Sequence, residues 1–290
     1  MRSEQKMYDL ILNIARQDER VRAVILNGSR ANPNASRDIF QDYDIIYVVT
    51  DVAALKSDPA FLPRFGKLMI MQLPDDMSDP PPGSERGSYA YLLQFADGNR
   101  IDLTLYPLAQ LDKLWKDSLS VLLLDKDGVI PPFPPADESS YLPKPPTAKA
   151  FADCCNEFWW VCPYVAKGLW RGEIVYAHSM FEVVREQLMK MLAWYIGTNT
   201  SFALNPGKYG KYFERYLEPE LWTMLLRTYA DGDYDHTWEA LSIMGELFRR
   251  TAGLVALHFG FDYSRGDDAR VSAHLQHVRS LPKDAKEMYE

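Results

Sequence analysis

The sequence predicts an α+β protein, with a mixed β-sheet and flanking helices in its first half and an all-helical second half. Three observations lead there. Short apolar runs with strand-like alternation recur up to residue 125. Prolines then crowd residues 131 to 146, as Pro131-Pro132-Phe133-Pro134-Pro135 and Pro143-Lys144-Pro145-Pro146, which neither a helix nor a central strand can accommodate. From residue 147 to the end, apolar side chains recur at helical spacing. At 290 residues the chain suits two domains better than one core, so we place one over 1–130, a proline-rich linker over 131–146 and a helical domain over 147–290.

The first half opens with an amphipathic helix over 3–17, in which Met7, Leu10, Ile11 and Ile14 share a face. Val21 to Leu26 reads as a buried strand that Gly28 ends, and the turn formers from Ala31 to Ser36 carry the chain as a loop. Further strands are expected at 44–50, 67–73, 89–95, 100–106 and 120–125, with helices near 59–65 and 108–117. In the second half we expect helices at 147–168, 173–196, 208–216, 218–230, 234–260 and 267–280.

Composition narrows the possibilities. Hydrophobic residues make up 47% and aromatics 13%, enough for packed interiors, while charge interrupts every long apolar run and the N-terminus lacks a secretion-signal core. A cytoplasmic location without membrane partners is therefore expected. The net charge of −8 speaks against a nucleic-acid backbone, whose binding rests on basic surfaces, and suits a cationic small substrate. Cys154, Cys155 and Cys162 have no neighbouring ligands for zinc and read as reduced core thiols.

The chemistry concentrates in the first half. Asp42 and Asp44 stand at i and i+2 where the chain enters the apolar run Ile45-Ile46-Tyr47-Val48-Val49, so they share one face of a strand. Two such anions repel unless a cation joins them, and Mg²⁺ favours carboxylates together with substrate phosphates. Twelve positions before Asp42 lies Arg30, in Gly28-Ser29-Arg30. Gly28 lets backbone approach a phosphate, Ser29 can donate hydrogen bonds to it, and Arg30 can add charge. On a later alternating strand Asp102 faces away from Ile101, Leu103 and Leu105. If that strand lies beside the one carrying Asp44, three carboxylates converge, with Asp102 either the general base or a ligand of a second metal.

At these residues the chain resembles the nucleotidyltransferase superfamily related to DNA polymerase beta. More narrowly, Leu26-Asn27-Gly28-Ser29-Arg30, Asn32-Pro33-Asn34, Phe40-Gln41-Asp42-Tyr43-Asp44 and Asp97-Gly98-Asn99-Arg100-Ile101-Asp102-Leu103-Thr104-Leu105 resemble the aminoglycoside 6-adenylyltransferases that inactivate streptomycin, over essentially the whole chain. The resemblance implies transfer of AMP from the co-substrate ATP to the 6-hydroxyl of streptomycin. It also implies Mg²⁺ on Asp42 and Asp44, phosphates at Gly28 and Ser29, and Asp102 as base. Gln41 stands where many members of the superfamily carry serine. Related enzymes also grip the triphosphate with a basic residue of the helical domain, for which Arg185, Lys208 and Lys211 are the candidates. Arg185 has a structural alternative, an i, i+3 pair with Glu182.

Other features carry less. Asp231-Gly232-Asp233-Tyr234-Asp235 lacks the calcium-loop glycine and glutamate and reads as a helix cap. His178 and Ser179 are adjacent on a helix and so face apart. Phe158, Trp159, Trp160 and Tyr164 read as packing. Alternative functions are adenylylation of another aminoglycoside or a lincosamide, modification of a partner protein, and a non-catalytic metal-binding module.

Overall fold

The computed structural model describes residues 1–81, 87–114 and 117–289. Contacts divide the chain into two units, Met1–Ser140 and Tyr141–Glu290, each considered separately below.

In the first unit α1 (Glu4–Gln17) is capped by the Ser3 hydroxyl, which accepts from the Lys6 amide. It buries Met7, Ile11, Ile14 and Ala15 along one stripe. Six strands follow: β1 (Val21–Asn27), β2 (Tyr43–Val49), β3 (Leu68–Gln72), β4 (Tyr89–Phe95), β5 (Arg100–Pro107) and β6 (Ser120–Asp125). They form one sheet in the order β3-β4-β5-β2-β1-β6, in which β2 and β5 run parallel and the other neighbours antiparallel.

Alternation sorts the two faces of this sheet. Tyr43, Ile45, Tyr47 and Val49 of β2, with Ile101, Leu103 and Leu105 of β5, join the core that includes Met7 and Ile11 of α1. The Tyr47 hydroxyl donates to the Ile11 carbonyl at 2.6 Å and ties helix to sheet. Ile46 and Val48 lie on the other face, in a smaller cluster with Ile25, Ile130, Leu108 and Phe133. Period-two alternation puts Asp44 and Asp102 on this second face, where a charge can stay within reach of solvent.

All six expected strands form, their ends shifted by at most a residue or so, but the short helices differ. The helix expected near 59–65 is a 3-10 turn over Leu62–Phe65, and an α-helix not foreseen, α2 (Val52–Lys56), precedes it with Asp51 as its cap. The segment expected as helix 108–117 forms 3-10 turns over Leu108–Lys113 that keep Leu108, Leu111 and Leu114 on the sheet; residues 115 and 116 lie outside the described residues.

The second unit contains α3 (Ala148–Arg171), α4 (Ile174–Asn199), α5 (Phe213–Tyr216), α6 (Pro219–Arg227), α7 (Tyr234–Phe259) and α8 (Arg265–Ser280). Gly168 lets α3 and α4 approach, since a Cβ there would sit 3.1 Å from the backbone of Ala177. Phe158 stacks on Phe248 at 3.7 Å between ring centres, and Trp159 meets both edge-on, so Phe158 and Trp159 are packing residues as expected. The three cysteines are buried and free, their thiols pushed up by desolvation. Asp233 caps α7 by accepting from the amides of Asp235 and His236. The helix expected over 208–216 splits into a 3-10 turn at Lys208–Gly210 and the short α5, because Gly207, Tyr209 and Gly210 all take positive φ. Among the described residues no helix is long and apolar enough to cross a membrane.

Candidate active site

The parallel register of β2 and β5 sets Asp44 directly opposite Asp102. Asp42, two residues before Asp44, completes the set: one carboxylate oxygen from each of the three lies within 4.8 Å of the other two. This is the one metal-competent group of three or more acidic, His or Cys side chains among the described residues. Burial, and after it the charges of Asp42 and Asp102, push the Asp44 carboxyl up to about 7. Three oxygen donors gathered this tightly, with one member's charged form so disfavoured, fit a hard divalent cation.

The turn after β1 closes against this group. Gly28 has φ +72°, and a Cβ at that position would stand 2.1 Å from Asp44 Oδ2. Both the backbone conformation and the proximity of the carboxylate therefore require glycine. The Gly28 amide donates to the Leu119 carbonyl at 3.1 Å, anchoring the turn. Ser29 follows in the same turn, its hydroxyl oxygen 3.4 Å from Gln41 Nε2. Gln41 leaves its Oε1 buried without a hydrogen-bond partner.

Arg30 is engaged by the protein around it. Its side chain is only 8% exposed. The guanidinium donates to the carbonyls of Asp42 at 2.9 Å and Gln41 at 2.7 Å, pairs with Glu4 at 3.0 Å, and lies 3.8 Å from the Tyr43 ring centre. It shapes the backbone that presents Asp42.

Arg185 is likewise held by the protein. Buried in the helical unit, it donates to Glu182, to the Thr228 hydroxyl at 2.7 Å and to the Thr228 carbonyl at 2.9 Å, with its guanidinium stacked 3.9 Å from the Tyr229 ring centre. The pair with Glu182, its structural alternative, is present, and a phosphate grip would form alongside these contacts. Lys208 and Lys211 are exposed, each ammonium over a neighbouring tyrosine ring, 5.3 Å from Tyr209 and 5.5 Å from Tyr212.

One residue of the acidic group had been given no role. Arg100 donates from Nε to Asp102 Oδ1 and from Nη2 to Oδ2, both at 2.7 Å, and its Nε lies 3.8 Å from Asp42 Oδ2. The signal was available, because Arg100 precedes Asp102 by two and so shares its face of β5 by the rule that paired Asp42 with Asp44.

A mixed sheet with a Gly-Ser turn closing on three carboxylates is the arrangement of a nucleotidyltransferase related to polymerase beta. The family model for streptomycin adenylyltransferase matches residues 1–278. An aminoglycoside 6-adenylyltransferase of Bacillus subtilis (strain 168) is 42% identical over 272 residues, spanning 92% of this chain and 95% of that protein. Counterparts from Campylobacter jejuni and Staphylococcus aureus are 42% and 37% identical, over 92% and 91% of this chain and 93% and 94% of theirs. A solved aminoglycoside 6-adenyltransferase structure from Bacillus subtilis, 36% identical, covers 97% of this chain and 100% of its own with a TM-score of 0.47. The chain belongs to the streptomycin adenylyltransferase family.

Proposed function

We propose that this protein transfers AMP from ATP to the 6-hydroxyl of streptomycin and releases pyrophosphate. Its relatives are named aminoglycoside 6-adenylyltransferases, which supports an enzyme that adenylylates an aminoglycoside with a nucleotide co-substrate. The observation that carries the mechanism is the convergence of Asp42, Asp44 and Asp102 beside the Gly28 turn. In this reading residues 1–130 are the catalytic domain and 147–290 the substrate-binding domain, joined by 131–146.

The acceptor oxygen forms a bond to the α-phosphorus, the bond from that phosphorus to the bridging oxygen breaks, and pyrophosphate leaves. Mg²⁺ held by Asp42 and Asp44 would offset charge on the phosphates and on the leaving group. Gly28, lacking a side chain, lets the turn lie close to the phosphates, to which Ser29 would donate from its hydroxyl. Asp102 takes the acceptor's proton. The Arg100 fork uses two of that carboxylate's roughly four acceptor positions, leaving others for the incoming hydroxyl. Lys208 and Lys211 are the proposed basic contribution of the helical unit to nucleotide binding.

The test is an acceptor panel. Purified protein, ATP and Mg²⁺ are incubated with streptomycin, other aminoglycosides and a lincosamide, and products are read by mass spectrometry with fragmentation to locate the AMP. AMP on the 6-hydroxyl of streptomycin, with pyrophosphate released in equal amount, is expected. Modification of another acceptor alone overturns the substrate assignment.

A further inference from the structure

The fork between Arg100 and Asp102 places a cation inside the acidic group. Arg100 reaches both oxygens of Asp102 at 2.7 Å and stands 3.8 Å from Asp42, while its side chain is 43% exposed and Asp102 only 22%. Bidentate guanidinium–carboxylate pairs are among the stronger charge-assisted contacts, and this one has a second carboxylate at its flank. Its geometry follows from the strand: Tyr43 pairs with Ile101 in the parallel register, so the residue before each, Asp42 and Arg100, meet at the same level of the sheet. With all three carboxylates ionised, the guanidinium leaves two negative charges, the complement of one divalent ion.

We infer that Arg100 is the resident counter-cation of this group, competing with a divalent ion for Asp102 and Asp42 so that the ion binds weakly to the protein until nucleotide brings phosphate ligands of its own. Taking the three aspartates as a cation site, a positive charge already within the group opposes the approach of a second one. The same fork keeps Asp102 from leaning away from Asp44 while no ion is present. Arg100 is a positioning residue here, acting through Asp102.

Titration of Mn²⁺ into nucleotide-free protein, with unbound ion read by electron paramagnetic resonance, tests this without any turnover. Arg100→Gln is expected to bind Mn²⁺ about tenfold or more tighter than wild type. After chelation the variant unfolds at a lower temperature than wild type, and Mn²⁺ closes the gap. Unchanged or weaker Mn²⁺ affinity in R100Q overturns the inference, even with a lowered unfolding temperature, because a mere structural strut gives that pattern. Should R100Q not fold, Arg100→Met, which keeps the apolar stem, is held to the same threshold. Wild-type binding that Asp44→Asn abolishes and R100Q leaves unaltered rejects the role of Arg100 alone. Equal ion depletion by wild type and Asp44→Asn rejects the cation site itself, and the inference with it.

Discussion

Asp44 and Asp102 face each other across the parallel β2–β5 pair, so two carboxylates some sixty residues apart in the chain stand side by side on the same face of one sheet. Burial, and after it the charges of Asp42 and Asp102, push the Asp44 carboxyl above its ordinary range.

This shift has a sign that stability measurements can read. Asp44 rises from an ordinary 3.8 to about 7, so folding takes up a proton between those values. A carboxyl shifted upward is stabilising or neutral when protonated and destabilising when ionised. The metal-free protein is therefore expected to lose stability as pH rises from about 4 to about 7, by up to on the order of 4 kcal/mol from this one group. Urea unfolding in chelator should show the loss in wild type and not in Asp44→Asn, whereas parallel profiles would contradict the burial and charge described for Asp44.

Gly28 tolerates no side chain. In Gly28→Ala the new Cβ meets Asp44 Oδ2, and the left-handed backbone adds strain of about 1–2 kcal/mol. We expect adenylyl transfer to fall by a factor of about 100 or more, as the Asp44 carboxylate is displaced from its partners. Rates within a few-fold of wild type would show that the turn does not govern that carboxylate.

Arg30 separates a backbone role from a phosphate role. Its buried guanidinium holds the carbonyls of Gln41 and Asp42, so Arg30→Lys, which loses the fork, is expected to lower stability by about 2–3 kcal/mol and reduce kcat. A raised KM for ATP with unchanged unfolding would instead restore the phosphate contact.

Arg185→Met is the matching test in the helical unit. It leaves the Thr228 carbonyl and hydroxyl without their donor and should lower the unfolding temperature, at a cost of about 1–3 kcal/mol, with KM for ATP unchanged. A several-fold rise in that KM would return Arg185 to the nucleotide.

Much of this was legible in the sequence because period-two alternation is a strong local signal. It placed Asp42 with Asp44 and turned Asp102 away from Leu103, while β1 was legible from its continuous apolar run. Parallel pairing of β2 with β5 was not in the sequence as such, since register depends on contacts distant along the chain. The surroundings of the arginines were hidden for a related reason. A sequence shows that Arg30 and Arg185 are charged, but not that the Gln41, Asp42 and Thr228 carbonyls would fold around them. Arg100 carried the same alternation signal as the aspartates, but its fork to Asp102 depends on side-chain geometry that alternation does not give. The short helices failed where glycines and local turns overrode helical composition, as at Tyr209.

The most direct measurement is diffraction at a wavelength where manganese scatters anomalously, from crystals of the wild-type protein grown with Mn²⁺ and a non-hydrolysable ATP analogue. The geometry predicts an anomalous peak within bonding distance of Asp42 and Asp44, on the face of the sheet that carries Asp102, with phosphate oxygens completing its shell. Bound nucleotide with no peak there, or with manganese held elsewhere, contradicts a catalytic cation centre built from these three aspartates.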